Sequence, residues 1–178
     1  MATLPNALTI VRILLIPVIA VTILLGRFEL ALPILFLAGI SDAIDGYFAR
    51  RWKQQSRLGA MLDPAADKLL LLTVYLALAF ARALPAWTVA LVIGRDVVIV
   101  VGVLVLVALK RSRNFPPTIW GKVSTFYQLM LGGAVVMHGA FPAWMPEAAL
   151  VFLLAGTCAA TIVSGVDYIR IGVRMAAR

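Results

Sequence analysis

Six apolar runs, each about as long as a bilayer is thick, leave this chain few folds to adopt. They lie at about 8–26, 30–49, 61–81, 86–109, 119–139 and 147–169. A span takes about 20 apolar residues, and it must be helical because hydrocarbon offers backbone N–H and C=O groups no partner. The chain is 63% hydrophobic and 13% charged, against about 45–50% and about 25% in a soluble domain. Lipid is therefore the expected solvent for much of its surface. The expected fold is an all-α integral membrane protein, a six-transmembrane-helix bundle forming one domain over residues 1–178.

Short connections separate the runs, at 26–29, 50–59, 82–85, 110–117 and 139–146. Pro85, Pro117 and Pro146 fall near helix starts, where a missing N–H does no harm. Residues 3–9, Thr-Leu-Pro-Asn-Ala-Leu-Thr, read either as an approach segment at the membrane surface or as a helix start with a polar cap. The run at 13–25 is preceded by Arg12 alone and is followed by a poor cleavage site, so it reads as a retained first span rather than a signal peptide.

The net charge of +8 does not point to nucleic acid, because no basic–aromatic alternation lines a strand-binding groove. The cations instead collect at span ends: Arg50, Arg51, Lys53 and Arg57, then Lys110, Arg111 and Arg113, then Arg170, Arg174 and Arg178. The opposite connections hold Arg27 and Arg82. The positive-inside rule then places both termini and the two basic connections in the cytoplasm. The expected location is a bacterial inner (plasma) membrane. Trp52, Trp87, Trp120 and Trp144 sit near span ends, as interfacial tryptophans do. Cys158, the single cysteine, leaves no intramolecular disulfide and reads as an apolar filler. His138, the one histidine, sits at the far end of the fifth run and reads as an interfacial residue.

Against this background the acids stand out. Four of the eight acidic residues, Asp42, Asp45, Asp63 and Asp67, fall in one window at the cytoplasmic ends of the second and third runs. Carboxylates beside hydrocarbon are costly and mark functional sites. Asp42 and Asp45 share a helix face, which Gly46 and Ala49 continue with small side chains. Gly59, Asp63 and Asp67 repeat every four residues on the next helix. If those faces oppose each other, four carboxylates converge beside a space cleared of side chains. So much negative charge requires protons or cations, and oxygen ligands alone favour a hard ion, Mg²⁺ first and Mn²⁺ or Ca²⁺ next. Magnesium usually completes its shell with phosphate oxygens, and Arg50 is placed to grip a phosphate at headgroup level. The bland alternative pairs the aspartates with Arg50, Arg51, Arg57 or Lys68 as helix-end salt bridges.

The pattern Asp42-x₂-Asp45-Gly46-x₂-Ala49-Arg50-x₈-Gly59-x₃-Asp63-x₃-Asp67 resembles the complete signature of the CDP-alcohol phosphatidyltransferases. That resemblance implies a six-helix membrane core, a homodimer and a site facing the cytoplasm. It implies transfer of a phosphatidyl group from CDP-diacylglycerol to an alcohol with release of CMP, or transfer of a phosphoalcohol from its CDP carrier to a lipid. By the same resemblance the four aspartates would hold two divalent cations, and Asp67 would also act as general base. Gly46, Ala49 and Gly59 would make room for the nucleotide, while Arg50 would bind its diphosphate.

The acceptor has to be read outside the signature. Residues 4–12, 62–69 and 162–168 resemble the phosphatidylglycerophosphate synthases, whose acceptor is glycerol 3-phosphate. Lys110, Arg111, Arg113 and Lys122 would meet such an anion, with Lys122 the best single candidate and also readable as a snorkelling lysine. Arg95-Asp96, however, is more similar to the cardiolipin synthases of that family, which use phosphatidylglycerol. Helix neighbours do not face each other, so each needs its own partner: Arg95 would bind an acceptor or lipid phosphate with Asp96 orienting a neighbouring cation, or both would form buried structural ion pairs. A small ion or metal transporter is the alternative of another class, but it would spread its acids through the membrane depth. The charge pattern makes one direct prediction. In a Cys158→Ala background, Arg27→Cys should react with an impermeant maleimide from outside the cell and Arg113→Cys should not; the reverse labelling would invert the topology.

Overall fold

The computed structural model describes residues 4–52, 57–108 and 118–176, with side chains given for 10–41, 65–106, 108 and 118–175. Among these the chain is helical: α1 (Leu4–Leu24), α2 (Phe28–Trp52), α3 (Arg57–Phe80), α4 (Ala86–Ala108), α5 (Ile119–Ala140) and α6 (Glu147–Ala176), with a 3₁₀ turn at Pro142–Trp144. Each helix covers one of the expected runs. The main differences are at the ends. Residues 4–9 belong to α1, so the surface approach segment is helix start. The second connection shrinks because α2 runs on to Trp52 and α3 begins at Arg57.

Two of the helices, over Ala86–Leu106 and Glu147–Met175, are long and apolar enough to cross a membrane, and 10–24 and 28–41 form shorter apolar stretches. Exposure shows that these are not the core helices of a soluble protein. Of the apolar windows in α4 and α6, 17% and 22% of the residues are buried. In α1, Ile16, Ile19 and Ile23 form a buried stripe while Ile10, Leu14, Val18 and Val21 stand exposed on other faces. A helix apolar all round is either deep in a core or in lipid, and α1 has its outer faces open.

The chain divides into two compact units, Met1–Leu84 with Gly132–Met145, and Pro85–Leu131 with Pro146–Arg178. In the first, α1 packs along both α2 and α3. Buried Ala31 and Ala38 on α2, and Ala66, Val74, Tyr75 and Leu78 on α3, supply small and large surfaces to that unit's core. In the second, α4 packs against α6, and the first half of α5 meets α6 along a polar seam. Ser124, Gln128, Thr157, Thr161 and Ser164 are all buried there. The Ser124 and Thr161 hydroxyls share a hydrogen bond of 3.2 Å, Gln128 Nε2 donates to Ser124 Oγ at 3.1 Å, and the Thr157 hydroxyl donates to the Tyr127 carbonyl at 3.1 Å. Such bonds contribute about 0.6 kcal/mol each in a membrane, because helices apart in lipid also find partners.

Two helix ends close with the same motif from different residues. After α1, the Arg27 N–H donates to the Thr22 carbonyl at 2.8 Å and the Gly26 N–H to the Ile23 carbonyl at 3.0 Å. After α3, the Ala83 N–H donates to Leu78 at 2.9 Å and the Arg82 N–H to Ala79 at 3.0 Å. This is the Schellman arrangement, whose hinge residue is left-handed. Gly26 adopts φ 68° without a Cβ penalty, whereas Arg82 adopts φ 57° with one. The left-handed conformation costs an ordinary residue about 1–2 kcal/mol. Arg82→Gly should therefore raise the thermal midpoint in detergent by about 2–4 °C, and Gly26→Ala should lower it by a similar amount. Unchanged midpoints would show that the motif tolerates either residue.

Candidate active site

Helix α2 carries Asp42, Asp45, Gly46, Ala49 and Arg50, and helix α3 carries Gly59, Asp63 and Asp67. Both aspartate pairs thus have the helical backbone on which their spacing was read. The side chains of Asp42, Asp45, Ala49, Arg50 and Asp63 lie outside the described residues, as do Arg111 and Arg113 entirely. Among the described residues no three candidate metal-ligating side chains cluster.

Asp67 is the signature aspartate whose side chain is described, and it has an unforeseen partner. Arg12, on α1, donates from Nη1 to Asp67 Oδ1 at 2.6 Å. The guanidinium is 1% exposed and the aspartate side chain 49%. Pairing with Arg50, Arg51, Arg57 or Lys68 was the bland alternative for Asp67; the charge described here comes from a different helix, 55 positions away. Burying a cation costs several kcal/mol unless it is well paired, so Arg12 needs acceptors, and Asp67 is one of them. The signal was present in the sequence, because a lone arginine within an apolar run is itself a functional-site flag.

The donor set suits a hard divalent cation. Helices α2 and α3 contain no histidine or cysteine, so their polar ligands near the signature are carboxylate oxygens. With Arg12 on Oδ1, half of the Asp67 side chain stays open to its surroundings.

In the second unit Arg95 is held on three sides. Its Nε and Nη2 donate to Ser164 Oγ at 3.1 and 2.7 Å, and Nη1 donates to Asp96 Oδ1 at 2.9 Å. The guanidinium carbon lies 5.4 Å from the centre of the Tyr168 ring, within cation–π range. Tyr168 in turn accepts the Thr118 N–H at 3.3 Å. A Cβ on Gly121 would come within 2.9 Å of the Tyr168 hydroxyl and 3.2 Å of Arg95 Nη2. Glycine at that position lets α5 approach the pair. Arg95 and Asp96 also meet each other, against the expectation that helix neighbours would not, because the arginine stem is long enough to fold back onto its neighbour. Ser164 and Tyr168 sit within a segment noted for family resemblance, but periodicity gave no sign that they hold Arg95.

Lys122 is exposed in the first turn of α5, its N–H bonded to the Thr118 carbonyl at 3.2 Å. His138 is far from a ligand's role: its Nδ1 is 2.7 Å from the Met145 carbonyl and ties the end of α5 to the following turn. Trp87, Trp120 and Trp144 are exposed at helix ends or in the connecting turn, as interfacial residues would be.

Comparison with known proteins addresses the family directly. The family model described as CDP-alcohol phosphatidyltransferase matches residues 2–163, which include parts of both units. A cardiolipin synthase (CMP-forming) of Streptomyces coelicolor is 35% identical over 159 residues, covering 84% of this chain and 72% of the relative. A cardiolipin synthase (CMP-forming) of Homo sapiens is 36% identical over 152 residues, covering 74% of this chain and 49% of the relative. A probable cardiolipin synthase (CMP-forming) of Drosophila melanogaster is 46% identical over 96 residues, 53% of this chain and 30% of the relative. The chain thus matches between 30% and 72% of the length of these relatives. Their names accord with the Arg95-Asp96 reading rather than with a glycerol 3-phosphate acceptor, and a family of lipid enzymes displaces the transporter alternative. The chain belongs to the CDP-alcohol phosphatidyltransferase family.

Proposed function

We propose that this protein is a cardiolipin synthase of the CMP-forming kind, transferring the phosphatidyl group of CDP-diacylglycerol to phosphatidylglycerol. The observation that carries the acceptor is the similarity to cardiolipin synthases over most of the chain, 84% of it in the Streptomyces case. Arg95-Asp96 agrees with it. The reading corrects the expectation of glycerol 3-phosphate, which rested on short stretches outside the signature.

In the proposed reaction a hydroxyl oxygen of phosphatidylglycerol attacks the phosphorus that bears diacylglycerol. The bond from that phosphorus to the bridging oxygen breaks, and CMP leaves with the bridging oxygen and its electron pair. Asp67 takes the hydroxyl proton and passes it to water. A hydroxyl is a poor nucleophile until a positioned base removes its proton, and such a base contributes about 10²–10⁴-fold. Arg50 binds the diphosphate, and Gly46, Ala49 and Gly59 leave room for the nucleotide. Two divalent cations, Mg²⁺ or in its place Mn²⁺, would be held by Asp42, Asp45, Asp63 and Asp67, and there would neutralise the diphosphate and ease departure of CMP. Lys122, Arg111 and Arg113 are assigned to the anionic acceptor, with Lys122 supported by its exposure. Arg95 is assigned there too, through the guanidinium hydrogens that Ser164 and Asp96 do not occupy. The proposal includes a homodimer of six-span subunits in a bacterial inner membrane, with the site on the cytoplasmic face.

Purified protein given CDP-diacylglycerol should consume phosphatidylglycerol at least about tenfold faster than glycerol 3-phosphate, a difference of about 1.4 kcal/mol in transition-state binding. A preference for glycerol 3-phosphate would return the chain to the synthases of phosphatidylglycerophosphate. Turnover should also disappear in excess EDTA and return with Mg²⁺, while Asp67→Asn should lower it about 10³-fold in protein that still folds. Full activity in the chelator would rule out the metal assignment.

A further inference from the structure

We infer that Arg12 is a positioning residue for the transfer, acting by fixing the orientation of the Asp67 carboxylate; the inference rests on the proposed role of Asp67 as base. The first ground is where Arg12 sits. Arg12, Ile16, Ile19 and Ile23 are all buried on α1, and their spacing of four, three and four residues makes one helix face. Arg12 therefore occupies a core position that isoleucine fills on the next turns. The second ground is the asymmetry of the pair. The guanidinium is 1% exposed and the aspartate side chain 49%. An ion pair serving stability alone gains little here, because buried pairs are commonly replaced by apolar residues without loss. What the buried arginine does supply is a fixed donor, 2.6 Å from Oδ1, on a helix that packs along both aspartate-bearing helices. Oδ1 is thereby committed to Arg12. Misplacement of a reacting group by about 1 Å can cost 10²-fold in rate.

A stability role and a positioning role make opposite forecasts for Arg12→Met, which fills the stripe with an apolar side chain. Positioning predicts a thermal midpoint at or above the parent's with kcat lowered about 100-fold, and a KM for CDP-diacylglycerol within about threefold. Arg12→Lys, which keeps the charge and loses the planar fork, should recover part of kcat at an unchanged midpoint. In the Asp67→Asn background, followed by release of radiolabelled CMP, Arg12→Met should cost less than about threefold more, since the two residues act as one unit. Parental kcat in folded Arg12→Met, or an equal loss with and without Asp67→Asn, would overturn the inference. If Arg12→Met does not fold, Arg12→Lys decides alone: kcat down about tenfold in stable protein supports positioning, and parental kcat overturns it. Full turnover by Asp67→Asn would instead remove the base itself and the inference with it.

Discussion

A charge in an apolar helix is tolerated only where another group meets it, and the placement of such charges organises this molecule. Arg12 lies on the buried stripe of α1 and reaches Asp67 on α3. An ion of that size taken from water into a low-dielectric interior meets an effective penalty of several kcal/mol. The helix that contributes the arginine also packs along α2 and α3, so the element that bears the compensating charge is the one that touches both aspartate-bearing helices. Moving α1 away would therefore disturb packing and charge balance together.

Arg95 solves a similar problem differently. Its guanidinium meets one carboxylate, one hydroxyl that accepts twice, and the face of an aromatic ring. The neighbouring seam of Ser124, Gln128, Thr157 and Thr161 continues the theme of short polar side chains satisfying one another between helices. Gly121 and Gly156 permit the approach, the one against Tyr168 and the other against the Tyr127 ring, which a Cβ would strike. In the first unit, then, a buried cation meets a carboxylate left half open; in the second, a cation is enclosed by neutral and charged partners. The contrast fits the proposal that Asp67 takes part in chemistry.

Much of this was legible before any coordinates. Hydropathy located all six helices, because a bilayer-length apolar run has one secondary structure open to it. The aspartate spacings placed each pair on one helix, and both are helical. What escaped was of a different kind. Arg12 was read as a flanking charge because its partner lies 55 positions away, and no periodicity links residues across that distance. Arg95 and Asp96 were separated by a rule about Cβ directions on helices, whereas four flexible bonds let an arginine head fold back. The helix starts at Leu4 and Arg57 were set too late because polar residues within a first turn look like connection rather than helix. Distance along the chain, side-chain length and polar first turns are the three things that patterns of apolar residues do not encode.

The acceptor was the hardest part to read for a chemical reason. Every member of a family that cleaves the same diphosphate needs the same carboxylates, so the signature carries the donor and says nothing of the nucleophile. Acceptor choice must rest on groups outside it, and in this chain the candidates are Arg95, Lys122, Arg111 and Arg113. Phosphatidylglycerol and glycerol 3-phosphate both bring a phosphate, so a cation alone does not tell them apart. They differ in charge and in the bulk of a second diacylglycerol, and discrimination between them has to come from how many donors remain open and how much apolar surface adjoins them. Arg95, with Ser164 and Asp96 already occupying part of its fork, has fewer donors left than a free guanidinium would. That suits the singly charged phosphodiester of a lipid better than the more highly charged monoester of glycerol 3-phosphate.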